Sequence, residues 1–261
     1  GNLEVLTQQV PVMAIAAIGV GFLMISGEFD LSIAGIYTAT PFAIAIASSH
    51  WKLALIPALI FGFACAALVG LVNSWVTLKL RVPSFVATLG MMFFLRGMVR
   101  WISIRPETGQ PGAMKFKFGE GFHDFLAGQL VGPIYMQALW LLVIGAIATI
   151  ILNRQAYGNH LFATGGDVEA SEKTGIQTGK IKTWAFVICS VCAALAGVIQ
   201  SARIGIASPA TTLNGIELTS IAACVVGGVH LMGGRGTVLG MVLGATLLVI
   251  IEDLLVLLRA P

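Results

Sequence analysis

Apolar stretches and short polar breaks alternate along almost the whole chain. A bilayer's hydrocarbon core is ~30 Å thick and an α-helix rises ~1.5 Å per residue, so about 20 apolar residues suffice to cross it. Eight runs reach or approach that length: Val10 to Ile25, Leu31 to Ser48, Leu53 to Thr77, Phe85 to Ser103, Tyr135 to Leu152, Thr183 to Gln200, Glu217 to Leu231 and Thr237 to Leu258. Their apolar residues run continuously instead of alternating, which predicts helices and argues against a transmembrane β-barrel. Two long polar segments interrupt the series, Ile104 to Pro133 and Asn153 to Lys182. The pattern predicts one all-α polytopic membrane domain over residues 1–261.

The breaks carry information of their own. Ser26 to Ser32 puts Glu28 and Asp30 between the first two runs with almost no loop. The Asp30 side chain is placed to cap the second helix, with Ser32 in support. Ser208 to Gly215 breaks the chain before the seventh run, through Asn214. Non-helical backbone at membrane depth survives only where it lines a cavity or is buried in protein. Such breaks are candidate pathway elements, with an ordinary surface turn as the alternative. Gly236, Gly240 and Gly244 recur at every fourth position. That spacing predicts close helix packing within one chain, a contact between chains being the second reading.

Composition agrees with the pattern. Only 10% of the 261 residues are charged, 57% are hydrophobic, and the mean hydropathy is +0.92. A soluble domain is about 25% charged, so a soluble enzyme, a disulfide scaffold, a coiled coil and a disordered chain are all excluded. The net charge of +3 is small and unclustered, which gives no support to nucleic acid as a partner. Cys65, Cys189, Cys192 and Cys224 all lie inside apolar runs. Cys189 and Cys192 have the spacing of a redox or metal pair, but no second pair completes a site, and small-residue packing is the favoured reading. The chain opens on Gly1 without Met, so residues are expected upstream, and nothing near Gly1 resembles a signal peptide.

No catalytic constellation emerges. Gly175 to Lys180 has one residue too few for a phosphate loop, and Ile181 follows the Lys in place of Ser or Thr. His50, His123, His160 and His230 are scattered, which offers no metal site. Neither a catalytic residue nor a bound cofactor is expected in this chain. Loop charge does not orient it either. Lys79, Arg81, Arg154, Lys173, Lys180, Lys182 and Arg235 fall on one side, against Lys52, Arg100, Arg105, Lys115, Lys117, Arg203 and Arg259 on the other, with Arg96 inside a run.

Among the candidate functional residues, Arg96 and Glu217 are ionisable groups in or beside apolar runs, which are costly unless they serve a purpose. Arg96 faces a pathway or snorkels, Arg100 snorkels, and Glu217 complements a helix N-terminus or faces the pathway. Asn73, Ser84 and Thr88 can hydrogen-bond between helices. Glu252 and Asp253 mark an interface, and Trp51, Trp101 and Trp140 sit near span ends as an aromatic belt would. Within the second polar segment, Tyr157 to Ile176 reads as a short capped surface helix. Gly165 and Gly166 lead into it, Asp167 caps it, Glu169 lies in its first turn and Gly175 stops it. So short a helix is marginal alone and persists when something packs on it.

Four ordered blocks carry a family resemblance. They are Phe29-Asp30-Leu31-Ser32-Ile33-Ala34-Gly35; Arg81-Val82-Pro83-Ser84-Phe85-Val86-Ala87-Thr88-Leu89-Gly90-Met91-Met92 with Arg96-Gly97 following; Tyr157 to Ile176; and Glu217 to Ala223 with Gly227-Gly228 and Gly233-Gly234-Arg235-Gly236. Together they resemble the permease subunits of ATP-binding cassette importers of the ribose/galactose/xylose type, from about residue 20 to residue 255. Glu28-Phe29 stands where Gly-Ile is more usual, and His230 where a small polar residue is common.

The resemblance implies a cobalamin-importer-like fold of about ten spans, eight of them visible here and one beyond each end. It makes 153–182 a cytoplasmic coupling loop and 104–133 an external loop. It implies that Gly165, Gly166, Asp167, Glu169, Ala170, Ser171, Thr174 and Gly175 meet an ATPase. Candidate pathway residues are then Phe29, Asp30, Ser32, Asn73, Ser84, Thr88, Arg96 and Glu217. Implied partners are ATPase subunits that carry ATP and Mg, a solute-binding protein, a second permease chain and the lipid bilayer of a bacterial inner membrane. The implied cargo is a monosaccharide or a related small polar solute. A nucleoside or branched-chain amino acid permease is the alternative, and a stand-alone secondary transporter a more distant one.

Overall fold

The computed structural model describes residues 2–105, 107–116, 120–210 and 215–258. Lys117 and Arg259 of the charge comparison, and Asn214 of the break before the seventh run, lie outside the described residues. Each of the eight apolar runs contains one helix. In chain order the first four are α1 (Asn2–Ile25), α2 (Ile33–Ser49), α3 (Leu55–Lys79) and α4 (Ser84–Ile102). The first polar segment follows with β1 (Met114–Lys115), α5 (Glu120–Ala127), β2 (Gln129–Val131) and β3 (Ile134–Tyr135). Then come α6 (Met136–Arg154), α7 (Ala156–Gly166), α8 (Val168–Lys173) and α9 (Thr178–Ile204). β4 (Ile206–Ala207), α10 (Ile216–Val226) and α11 (Val238–Leu257) complete the order.

Six of these helices, α1, α3, α4, α6, α9 and α11, are long and apolar enough to cross a membrane, and α2 and α10 are shorter apolar helices. At ~1.5 Å per residue, the 11 residues of α10 reach only about halfway through a hydrocarbon core.

α1 and α9 form the centre and pack along each other. α1 also meets α6, α10 and α11, while α9 meets α2 and α3, and α2 lies against α4. Phe22, Leu23, Ile25, Ile33, Leu161 and Phe186 fill the core near one end of the bundle, and Ile15, Ile44 and Ile199 lie in a second cluster further along. The outer helices turn large apolar side chains outward, among them Ile56, Trp75, Phe93, Phe94, Leu142 and Leu239. In water such a surface would be an aggregation liability, whereas in lipid it is the expected exterior.

Three differences from the sequence reading have clear causes. α10 stops at Val226, short of the expected Leu231, because Gly227-Gly228 ends it and Gly228 has φ +86°. Gly236 lies ahead of α11 under Ile25 and Val229, so only Gly240 and Gly244 share a helix face. A side chain on Gly240 would strike the Gly227 carbonyl, and one on Gly244 the Ala223 carbonyl, so both serve packing between α10 and α11. The 104–133 segment has short elements of its own, and β1 pairs antiparallel with β4 through Met114 and Ala207 and through Lys115 and Ile206. That pairing ties it to the end of α9.

The cysteines are free, and Cys189, Cys192 and Cys224 are buried. Cys189 and Cys192 pack against Gly19 of α1, where an added Cβ would meet Cys192 Cβ at 2.6 Å. The Cys224 thiol donates to the Ala17 carbonyl at 3.1 Å.

Candidate functional site

One end of the bundle gathers most of the residues singled out from the sequence. The C-terminus of α1, the start of α2, the C-terminus of α3, the start of α4, and α7, α8 and the start of α9 all meet there.

The α7–α8 segment is built by its local chemistry. Asp167 has an extended backbone, φ −157° and ψ 108°, and its Oδ1 accepts the Ala170 amide at 2.9 Å. It therefore caps α8 as the sequence leads one to expect. Lys173 Nζ meets Glu169 Oε1 at 2.8 Å across one turn, an exposed pair that contributes only a few tenths of a kcal/mol. The Thr174 hydroxyl donates to the Ser171 carbonyl at 2.8 Å, and Gly175, at φ +88°, turns the chain out of the helix. Ser171 is buried, while Gly166, Asp167, Val168, Glu169, Ala170, Thr174 and Gly175 are exposed. α7 is a separate 11-residue helix that the sequence reading took as the approach to α8. Its Tyr157 hydroxyl donates to the Ile181 carbonyl of α9 at 3.2 Å.

Gly165 and Gly166 separate in role. A Cβ on Gly165 would collide with the Ile25 carbonyl and come within 2.6 Å of the Gly234 amide, whereas one on Gly166 would meet nothing within 4 Å. The Gly234 amide also donates to the Ile25 carbonyl at 2.9 Å. The end of α7 is thus pressed directly onto the end of α1 and onto the loop that precedes α11.

Six of the eight candidate pathway residues, Phe29, Asp30, Ser32, Asn73, Ser84 and Thr88, form one hydrogen-bonded cluster just inside this end. Asp30 Oδ1 accepts the Ser32 amide at 2.7 Å, and Asn73 donates to Asp30 Oδ2 at 3.4 Å and to Ser32 Oγ at 2.8 Å. The Phe29 amide donates to Ser84 Oγ at 3.2 Å, and the Leu31 amide to Thr88 Oγ1 at 3.0 Å. Asp30, Ser32, Asn73, Ser84 and Thr88 are all buried. The position ahead of α2 is occupied by Ser32, which makes no capping bond, so Asp30 braces the turn instead of capping the helix. Burial pushes the Asp30 carboxyl up to about 6, against the pull of hydrogen bonds from Ser32 and Asn73. The sequence reading missed the pair that locks this turn to α9, Lys182 Nζ to Glu28 Oε1 at 2.6 Å, with both side chains under 15% exposed.

Arg96 and Glu217 lie apart from that cluster and meet each other, Nη2 to Oε1 at 3.1 Å. They join α4 to the first turn of the short helix α10. Arg96 Nε and Glu217 Oε2 are buried and have no hydrogen-bond partner among the described residues. Arg100 is exposed, as a snorkelling residue would be. Among the described residues, no group of three His, Cys, Asp or Glu side chains could hold a metal ion.

Comparison with known proteins bears on this arrangement. The family described as the permease component of the branched-chain amino acid transport system matches residues 2–261. The chain is 32% identical to the autoinducer 2 import system permease protein LsrC of Yersinia enterocolitica, over 100% of this chain and 70% of the relative. It is also 32% identical to the LsrC proteins of Enterobacter sp. strain 638 and Yersinia pseudotuberculosis strain YPIII. Those matches cover 96% of this chain in each case, and 70% and 68% of the relatives. No solved structure matches the chain.

Proposed function

The chain belongs to the permease-component family of branched-chain amino acid transport systems, and from that premise we propose how its parts divide the work of import. It is a multi-pass inner-membrane permease subunit of an ABC importer. Its cargo is a monosaccharide or a related small polar solute. Autoinducer 2, the solute named for the relatives, supports that class. The Phe29-Asp30-Leu31-Ser32 and Val82-Pro83-Ser84-Phe85 blocks favour the sugar branch over the nucleoside and amino acid branches.

The full domain has a cobalamin-importer-like arrangement of about ten spans, in which 153–182 faces the cytoplasm and 104–133 the exterior. Two permease chains enclose the pathway, and a solute-binding protein delivers cargo outside. Separate ATPase subunits bind ATP and Mg and press on α8, while this chain carries no cofactor of its own. The single observation that carries this division is the seat of Gly165 on Ile25 and Gly234. A push on the exposed face from Gly166 to Ala170 must move α1 and the loop before α11. α1 leads through the buried Asp30 cluster into α2, α3 and α4. Such a linked set of helices is the kind of element an ATPase can bias between two access states.

The test is co-purification of an ATPase with the chain, and vanadate-sensitive solute uptake into vesicles that also hold the solute-binding protein. Uptake that needs no ATPase and follows an ion gradient would point to a secondary transporter instead.

A further inference from the structure

A groove of about 850 Å³ opens between α3 and α9 at the α8 end of the bundle. One wall is Leu71, Trp75 and Leu78 of α3; Leu78 is half-buried, while Leu71 and Trp75 belong to the outward apolar surface, and Trp75 is 56% exposed. The floor is closed by Ser74 Oγ and Thr183 Oγ1 at 2.7 Å. Lys79 and Lys180 line the groove, both exposed, and neither makes an ion pair among the described residues. Glu172 is the one carboxylate in the lining, and its Oε1 accepts the Thr178 hydroxyl at 2.6 Å.

We propose that this groove between α3 and α9 binds an anionic phospholipid, with an acyl chain along Leu71 and Trp75 and the phosphate between Lys79 and Lys180. The apolar wall continues a membrane-facing helix surface, so a lipid can enter sideways. The two lysines stand at the last residue of α3 and in the first turn of α9, the level of the headgroups. Basic pockets between membrane helices at that level suit acidic headgroups, and a tryptophan at the boundary is in its preferred zone. Charge favours an anion, two cations against one carboxylate already engaged by Thr178. None of the exposed residues from Gly166 to Ala170 lines the groove. The proposal rests on the membrane placement given above.

Native mass spectrometry of the purified chain tests it, with phosphatidylglycerol and phosphatidylcholine offered in equal amounts. The chain retains phosphatidylglycerol several-fold over phosphatidylcholine. Lys79→Gln with Lys180→Gln abolishes that preference at an unchanged melting temperature, Glu172→Gln raises it, and millimolar inorganic phosphate does not displace the lipid. Equal retention of both lipids, an unchanged preference in the double variant, or displacement by phosphate overturns the proposal. The readout is lipid mass and not uptake, so its failure stands apart from failure of the permease assignment.

Discussion

Gly165 and Gly166 are neighbours in sequence and opposites in space. An added methyl at Gly165 meets the Ile25 carbonyl, and one at Gly166 meets open space. Overpacking of a tight contact costs typically ~1–3 kcal/mol. Gly165→Ala therefore lowers the melting temperature of the purified chain by several degrees, while Gly166→Ala leaves it within a degree or two of the parent. Equal melting of the two variants by scanning fluorimetry would remove the proposed contact. Arg96 and Glu217 also act as a pair. Removing one partner of a sheltered ion pair strands the other, and Arg96 is about a quarter exposed, so the cost falls below the figure for full burial. Glu217→Gln alone is expected to destabilise by ~1–3 kcal/mol, and adding Arg96→Gln to recover part of that loss. A double-mutant cycle in thermal unfolding measures the coupling, and strict additivity would show that the contact carries no energy. The charge pattern marked both residues as costly but could not join them, because they are 121 positions apart.

Among elements, the turn between α1 and α2 is the most constrained. Glu28 holds it to α9 through Lys182, and Asn73, Ser84 and Thr88 hold it to α3 and α4. Glu28→Lys places two cations in a sheltered site and lowers the yield of folded protein. The exchange Glu28→Lys with Lys182→Glu restores much of it, as size-exclusion profiles of the two variants would report. No recovery in the exchanged protein would mean that the pair does not hold the turn. The helices themselves were legible from sequence because lipid demands unbroken apolar runs and internal backbone pairing. Their ends were less so. The apolar Val229 and Leu231 extended the seventh run past the glycines that stop α10, and Tyr157 to Ile176, read as one short capped helix, is divided at Asp167 into α7 and α8. The polar cluster was visible only as separate residues. Its bonds span 43 and 57 positions, and no local periodicity encodes which helix lies beside which.

For the whole molecule, the arrangement joins a surface segment to the core by one short path. α8 is exposed except at Ser171, α7 rests on α1, and α1 runs through the centre of the bundle against α9, α6, α10 and α11. Sequence reading located α8 through its cap at Asp167 and its stop at Gly175. It could not foresee the seat of Gly165, which depends on the fold of residues 60 or more positions away. The central claim is that α8 passes the ATPase stroke to this core. Ala170 is the residue for the decisive measurement, since it is exposed, small and in the middle of α8. Ala170→Arg is compared with the parent in vesicles that contain the ATPase and the solute-binding protein, with ATP hydrolysis and solute uptake followed together. The expected result is normal insertion and continued hydrolysis with solute uptake reduced at least tenfold. Uptake per ATP equal to that of the parent would contradict the claim.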